Sequence, residues 1–485
     1  MAGKIDFTET NIQRLFGHEA AEDEDPKRLQ QYYFKTGVYD RIVTDLPVRV
    51  LVGHKGIGKS ALLKVAISEN VEKGRLAVLI QPNDITDLGV DTTDFLHTVR
   101  SWTEGLREII VRKVLHSLGV SDKLSTGVKG YRGGIVEFLS NTLPNLNWGD
   151  YDPSKQNVIL QFAETLSLSI YIDDLDRGWQ GRREDVARIS ALLNAVRDLS
   201  NADRSINFKI ALRSDVYYLV RTSDESTDKI EGSVVWHTWT NHEIFVLLVK
   251  RIETYFGRTV DEERLLSIRQ HDISHFLNPV MEPRFAGSGL WENAPIYRVL
   301  MSLIRKRPRD LVKLCTLAAR NAHSRKSAMI QTEDFRAIFE EYSQGRIQDT
   351  VNEYRSELPD IERVLMNMKP SQKERTTKEG YVYRTDALLK KINAVMELGA
   401  PRFANGKTAD AKELSAFLYK INFLTARKET PQGIIRKYFE ENRYLSSQFV
   451  DFGFDWEIHP AYRWALQPSD VTAIFATLGL SAEDE

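Results

Sequence analysis

The run Gly53-His54-Lys55-Gly56-Ile57-Gly58-Lys59-Ser60 matches the phosphate-cradling pattern GxxxxGK[ST] at every fixed position. Glycines at 53, 56 and 58 let successive backbone N–H groups turn inward on a polyanion, and a helix opening near Lys59 adds the positive end of its dipole. Lys59 has the reach to meet β and γ phosphate oxygens as a point charge, and the Ser60 hydroxyl is the group that holds Mg2+ in such loops. His54, Lys55, Ile57 and Ala61 complete the stretch expected to wrap the ligand, ATP. A chance glycine-rich turn is the bland alternative, and the flanks argue against it. Val48-Arg49-Val50-Leu51-Val52 reads as a buried parallel strand before the loop, and Ala61 to Ala66 reads as a helix after it.

A second set of residues supplies acids. Leu166 to Ile172 alternates and then turns wholly apolar before Asp173-Asp174, the pattern of a central strand with an acidic metal site at its carboxyl end. Asp173 is the expected Mg2+ ligand, and Asp174 or Asp176 the expected base for an attacking water, with Asp174 preferred. A further strand, Ile206 to Leu212, ends at Arg213, beside where a γ-phosphate should lie. There the arginine either senses phosphate charge or pairs with an acid such as Asp215.

Composition bounds the rest. The chain has 485 residues, 42% of them apolar, enough for roughly three domains with sizeable cores. Lys plus Arg number 66 against 68 Asp plus Glu, so a net charge of −2 gives no global pull toward nucleic acid or membrane. The lone Cys315 excludes an internal disulfide and reads as a buried core thiol. Ten histidines without zinc spacing leave magnesium as the one metal expected. No apolar run approaches the length of a bilayer span, so the expectation is a soluble, cytoplasmic protein.

These elements imply an α/β fold. Residues 1–40 form a segment packed on the core, with Tyr32, Tyr33, Phe34 and Tyr39 lying either against a base or against the core itself. A P-loop NTPase core with a parallel sheet of about five strands spans 41–240, interrupted by a polar excursion at about 119–155 that carries Lys123, Lys129 and Arg132. From 241 to 345 the period is helical throughout, reading as an all-α lid. Within it, Arg305-Lys306-Arg307-Pro308-Arg309-Asp310 is either a basic cluster closing on phosphate or a solvated charge run. Residues 346–384 read as a linker, and 385–485 as a winged-helix-like module of helices followed by a two-stranded ribbon. His459, beside Pro460, reads as structural.

Taken together, these motifs resemble bacterial P-loop ATPases of the STAND and AAA+-like group, nearest to the Sll1717-type ATPases and the KAP-like NTPases. The resemblance rests on Phe16-Gly17 with the following acidic run, Tyr33-Phe34-Lys35-Thr36, the phosphate loop, Ile172 to Arg177, Leu212 to Asp215, and Arg307-Pro308-Arg309-Asp310. It implies a sensor-1 role for Arg213 and a sensor-2 role for Arg309, each contacting γ-phosphate. It also implies a place in antiviral defence. Lys306 stands where relatives often carry glycine, and the acidic strand ends Asp-Asp where they show Asp-Glu.

The first functional reading is therefore a slow or partner-stimulated ATPase, a conformational switch that forms homo-oligomers and reports its state to an effector or co-encoded protein. Nucleic acid is a possible partner. The alternative is a scaffold that binds ATP without hydrolysing it and uses its carboxyl-terminal module on DNA or an effector. Phosphate transfer to a small molecule is weaker, because no acceptor motif is visible. A GTPase reading lacks an NKxD-like element, and an ABC-type reading lacks an LSGGQ-like signature near Asp173.

Overall fold

The computed structural model describes residues 5–90, 94–120, 131, 133–143, 153–223, 225–375, 380–443, 445, 453–467, 474–475 and 478–482. The chain divides into two compact units, one of residues 25–237 and one of residues 1–24 with 238–485.

The chain opens with α1 (Glu9–Phe16), which belongs to the second unit, so only 25–40 of the expected 1–40 segment pack with the sheet domain. The first unit then runs α2 (Pro26–Tyr32), α3 (Gly37–Val43), β1 (Val48–Gly53), α4 (Lys59–Glu72), β2 (Leu76–Ile80), α5 (Phe95–Ser117), α6 (Ile135–Thr142), α7 (Pro153–Thr165), β3 (Leu168–Ile172), α8 (Arg183–Ala202), β4 (Ile206–Arg213), α9 (Ser214–Ser223) and β5 (Val234–Trp236). Its five strands form one sheet in the order β2-β3-β4-β1-β5, every pair parallel. This is the α/β P-loop core that the sequence predicts. Burial on both faces explains the unbroken apolar strands: all five residues of β3 are buried, and seven of the eight in β4.

One sheet face carries Trp102, Leu106, Ile110 and Val114 of α5, with Ile189, Leu193 and Val196 of α8. The other carries α2 to α4, where Tyr32, Tyr33 and Tyr39 are buried and the Tyr39 hydroxyl donates to Glu69 at 2.8 Å. These rings pack the segment onto the core. The excursion at 119–155 departs from the expected exposed loop, because Ile135, Val136, Phe138 and Leu139 of α6 enter the same core as α5. Lys123, Lys129 and Arg132 lie outside the described residues.

The second unit continues with α10 (Asn241–Tyr255), α11 (Glu262–Ser267), α12 (Gln270–Ile273), β6 (Arg284–Ala286), β7 (Glu292–Pro295), α13 (Ile296–Leu303), α14 (Pro308–Ser324), α15 (Thr332–Tyr354), α16 (Ile361–Asn367), β8 (Val382–Tyr383), α17 (Thr385–Glu397), α18 (Ala411–Lys420), β9 (Leu424–Thr430), β10 (Gly433–Lys437), β11 (Asp455–Ile458) and α19 (Arg463–Leu466). Local signals set its helix starts: Thr240 and Glu243 form a capping box for α10, and Pro308 takes the first turn of α14. The lid is not all-α, since β6 and β7 form an antiparallel pair inside it.

Nor is 346–384 a linker. Helix α15 runs through to Tyr354 with Arg346, Thr350, Val351 and Glu353 buried, and α16 buries Ile361, Val364 and Leu365. Beyond it, α17 and α18 precede a four-stranded antiparallel sheet, β10-β9-β11-β8, so the expected ribbon is two strands of a wider sheet.

Burial of charge holds this unit together. The Arg305 guanidinium grips Asp310 at 2.7 and 2.9 Å and donates to the Tyr462 hydroxyl at 2.9 Å, while Arg346 reaches Asp310 at 2.6 Å and Arg307 reaches Glu353 at 2.9 Å. The hexapeptide around Pro308 is thus neither a solvated run nor, at Arg305 and Arg307, a phosphate clamp. Burial raises the Asp310 carboxyl, but Arg305 and Arg346 outweigh it and hold the group well below the carboxylate range. Trp464 stacks on Phe339 with centroids 4.5 Å apart, in a cluster shared with Phe285, Trp291 and Phe475.

Candidate nucleotide site

The strand–loop–helix geometry around Lys59 follows from three glycines. Gly56 and Gly58 have φ of 80° and 104°, in the left-handed region that side chains disfavour. Gly53 sits where a Cβ would lie 2.9 Å from Ile57 Cγ2 and 3.3 Å from His237 Cβ, so a larger residue would push the loop off the sheet. Helix α4 starts at Lys59, and Lys59 Nζ donates to the carbonyls of Gly53 at 2.8 Å and His54 at 3.1 Å, which places the ammonium within the loop. His54 is buried with its Nδ1 3.1 Å from Ser214 Oγ, Ile57 is buried, and Lys55 is exposed.

Asp173 follows β3 directly, and its carboxyl group hydrogen-bonds the Ser60 hydroxyl and accepts from the Asp174 N–H at 2.9 Å. Burial pushes the Asp173 carboxyl up, against the lowering effects of Ser60, the Asp174 N–H and Lys59. A buried carboxylate in that condition gains from a cation, and the hydroxyl beside it is a hard oxygen donor, so Ser60 and Asp173 fit Mg2+. Among the described residues no group of three or more His, Cys, Asp or Glu side chains is placed to hold a metal, so the pair would depend on phosphate and water for the remaining ligands.

The candidate bases are both engaged. Asp174 has φ of 59°, and its Oδ2 accepts from Arg177 Nε at 2.8 Å and Nη2 at 2.6 Å. Asp176 accepts from Arg213 Nη1 at 3.1 Å. Arg213 is in register with Gly53 across β1 and β4, beside the phosphate loop, and also grips Asp215 at 2.9 and 2.5 Å. Both readings of Arg213 therefore hold in part: the position suits a phosphate sensor, and the side chain is ion-paired.

Lys59, Ser60, Asp173, Asp174 and Arg213 thus converge within the sheet unit. Arg309 does not join them there. It stands near the start of α14 in the other unit, where its Nε donates to the Glu19 carbonyl at 3.0 Å.

His237 was not legible as a site residue. It follows β5, its N–H donates to the Val52 carbonyl at 2.8 Å, and its ring lies 3.6 Å from where a Gly58 Cβ would be. Burial, reinforced by Lys59, pushes its pKa down to about 3, so it lines the loop as a neutral ring. The only signal in the sequence was a histidine at the end of a strand, and strand order alone brings that strand beside β1.

Residues 283–351, from β6 to most of α15, match the family described as "FunZ-associated C-terminal helical domain". The chain is 22% identical over 460 residues to the "Putative transposon gamma-delta 80.3 kDa protein" of Escherichia coli (strain K12). That alignment covers 86% of this chain and 62% of the relative, so the chain spans less than two thirds of that protein's length. Similar solved structures include the Walker-type ATPase of Pyrococcus abyssi, at 14% identity and TM-score 0.40, covering 93% of this chain and 97% of that one. The Aeropyrum pernix ORC2 protein in ADPNP–ADP complexes follows at 11% identity and TM-score 0.38, covering 93% and 92%. Drosophila ORC bound to DNA is 9% identical with TM-score 0.32, covering 96% and 92%. TM-scores below 0.5 define no residue-level correspondence between the chains.

Proposed function

We propose that the chain is an ATP-binding and ATP-hydrolysing conformational switch. The convergence of Lys59, Ser60 and Asp173 at the end of β1 and β3 carries this reading. Loop N–H groups and Lys59 bind and orient the phosphates; Ser60 and Asp173 hold Mg2+, which supplies charge neutralisation when bound. Asp174 orients or deprotonates the attacking water once Arg177 releases it, and Arg213 senses the γ-phosphate once it turns from Asp176 or Asp215. Arg309 is assigned the corresponding role from the helical unit. That unit, with α17, α18 and the antiparallel sheet as its winged-helix-like part, passes nucleotide state to a protein partner, with nucleic acid a further candidate.

Homo-oligomerisation, membership of the STAND or KAP-like subgroup and a setting in antiviral defence complete the proposal, on the strength of the motif resemblance. Mg-ATP binding and turnover in the purified chain test it. Lys59→Ala should weaken both; Asp174→Asn should keep binding and lose turnover by about 10²–10⁴-fold. Unchanged turnover in Asp174→Asn would reject the base assignment.

One observation favours the second reading, a non-hydrolysing scaffold: Asp174 and Asp176 are both ion-paired. ATP retained intact after long incubation with Mg2+ and candidate partners would select it.

A further inference from the structure

A cavity of 260 Å³ opens on the flank of the acidic loop, bounded by residues 175–179, the turn after β2 and the first part of α8. Two indoles, Trp102 and Trp179, and two guanidinium side chains, Arg177 and Arg188, line it. Trp102 is fully buried, and Arg188 lies over its ring, 5.6 Å from the centroid. Arg188 is committed to the wall itself, donating to the carbonyls of Leu88 at 2.9 Å, Ile85 at 2.7 Å and Thr86 at 3.1 Å. The N–H groups of Trp102 and Trp179 are buried and meet no acceptor. A buried donor left in that state is costly, and a ligand acceptor relieves it.

Arg177 differs from Arg188. Its side chain is 58% exposed, and its ion pair joins the same loop's Asp174. The loop makes room at this edge: Gly178, with φ of 81°, has nothing within 4 Å of where a Cβ would stand.

The chemistry narrows the occupant. Aromatic walls favour a planar ring, unpaired indole donors favour ring carbonyl or carboxylate oxygens, and a guanidinium at the rim favours negative charge. We propose that this cavity binds a small planar heteroaromatic anion, which competes with Asp174 for the Arg177 guanidinium. Occupancy then frees the Asp174 carboxylate, and by linkage any state that draws Asp174 away from Arg177 tightens the ligand. The site lies within one unit and its binding does not depend on whether the phosphate loop turns over ATP.

Isothermal titration calorimetry of the full chain with indole-3-carboxylate and with orotate tests this, since neither probe carries a phosphate for the loop around Lys59. One-site binding is expected, weakened about tenfold or more in Arg177→Gln and in Trp179→Leu. Thr86→Trp, at an exposed rim position, should block entry. Asp174→Asn should tighten binding several-fold by releasing Arg177, and Lys59→Ala should leave it unchanged, so failure of the nucleotide reading would not mimic failure here. Melting temperatures identify any variant that does not fold. Absence of heat at millimolar probe in the wild-type chain overturns the proposal. So do equal affinities in wild type, Arg177→Gln and Asp174→Asn.

Discussion

Ser60 and Asp173 share a hydrogen bond at the one point where burial works against a carboxylate's charge. Ser60→Ala removes a metal-facing hydroxyl and that bond together, so the Mg2+ concentration needed for half-maximal ATP binding should rise by about tenfold, the equivalent of roughly 1.4 kcal/mol. Titrating Mg2+ at fixed ATP reads this directly. His237 gives the loop a pH signature. Folded His237 stays neutral down to about 3, whereas in the unfolded chain it takes a proton near 6.5. The unfolded state therefore binds more protons between those values, and the stability this group confers is lost as pH falls from about 6.5 toward 3. Thermal unfolding of the sheet unit should show that slope in wild type and a flatter one in His237→Asn.

At the scale of elements, α14 and α15 are joined through Asp310, which faces both Arg305 and Arg346. Asp310→Asn leaves two buried guanidinium groups short of their counter-charge and should cost about 3–5 kcal/mol, measurable by denaturant unfolding. Because α15 is a continuous helix with Arg346 buried, native-state trypsin should spare the bond after Arg346, and mass spectrometry of the fragments would show cleavage there if the segment were a loose tether. The sequence obscured this helix. Gln344, Gln348, Asn352 and Glu353 made the stretch look polar, yet Glu353 is buried against Arg307 and only the pairing makes its burial tolerable.

At the scale of the molecule, the carboxyl-terminal sheet and the helices before it form a single unit. Tyr462 bonds Arg305 and Thr350, and Arg298 reaches the carbonyls of Gln432 and Ser481 at 2.8 and 3.0 Å. Glu457 is the acid-sensitive point of that unit. Burial raises its carboxyl, but Arg436 and Arg463 prevail and lower it to about 2, from an ordinary 4.5. Stability from this group is present above about 4.5 and is lost as pH falls toward 2, a window below the onset of the His237 effect. Calorimetric scans between pH 7 and pH 3 should therefore show the sheet unit weakening first and the helical unit later. Among the described residues no helix is long and apolar enough to cross a membrane.

The sequence by itself determined the phosphate loop, the acidic strand end and the parallel core, because glycine spacing and unbroken apolar strands are local requirements that no other arrangement satisfies as well. Tertiary structure decided what pairwise burial decides. It placed His237 beside Gly53 and Gly58 through strand order, put Arg305, Arg307 and Glu353 inside, tied Asp174 to Arg177, and merged lid, supposed linker and terminal sheet into one unit. A charged side chain reads the same in a sequence whether water or a buried counter-ion surrounds it, and only the fold supplies that partner.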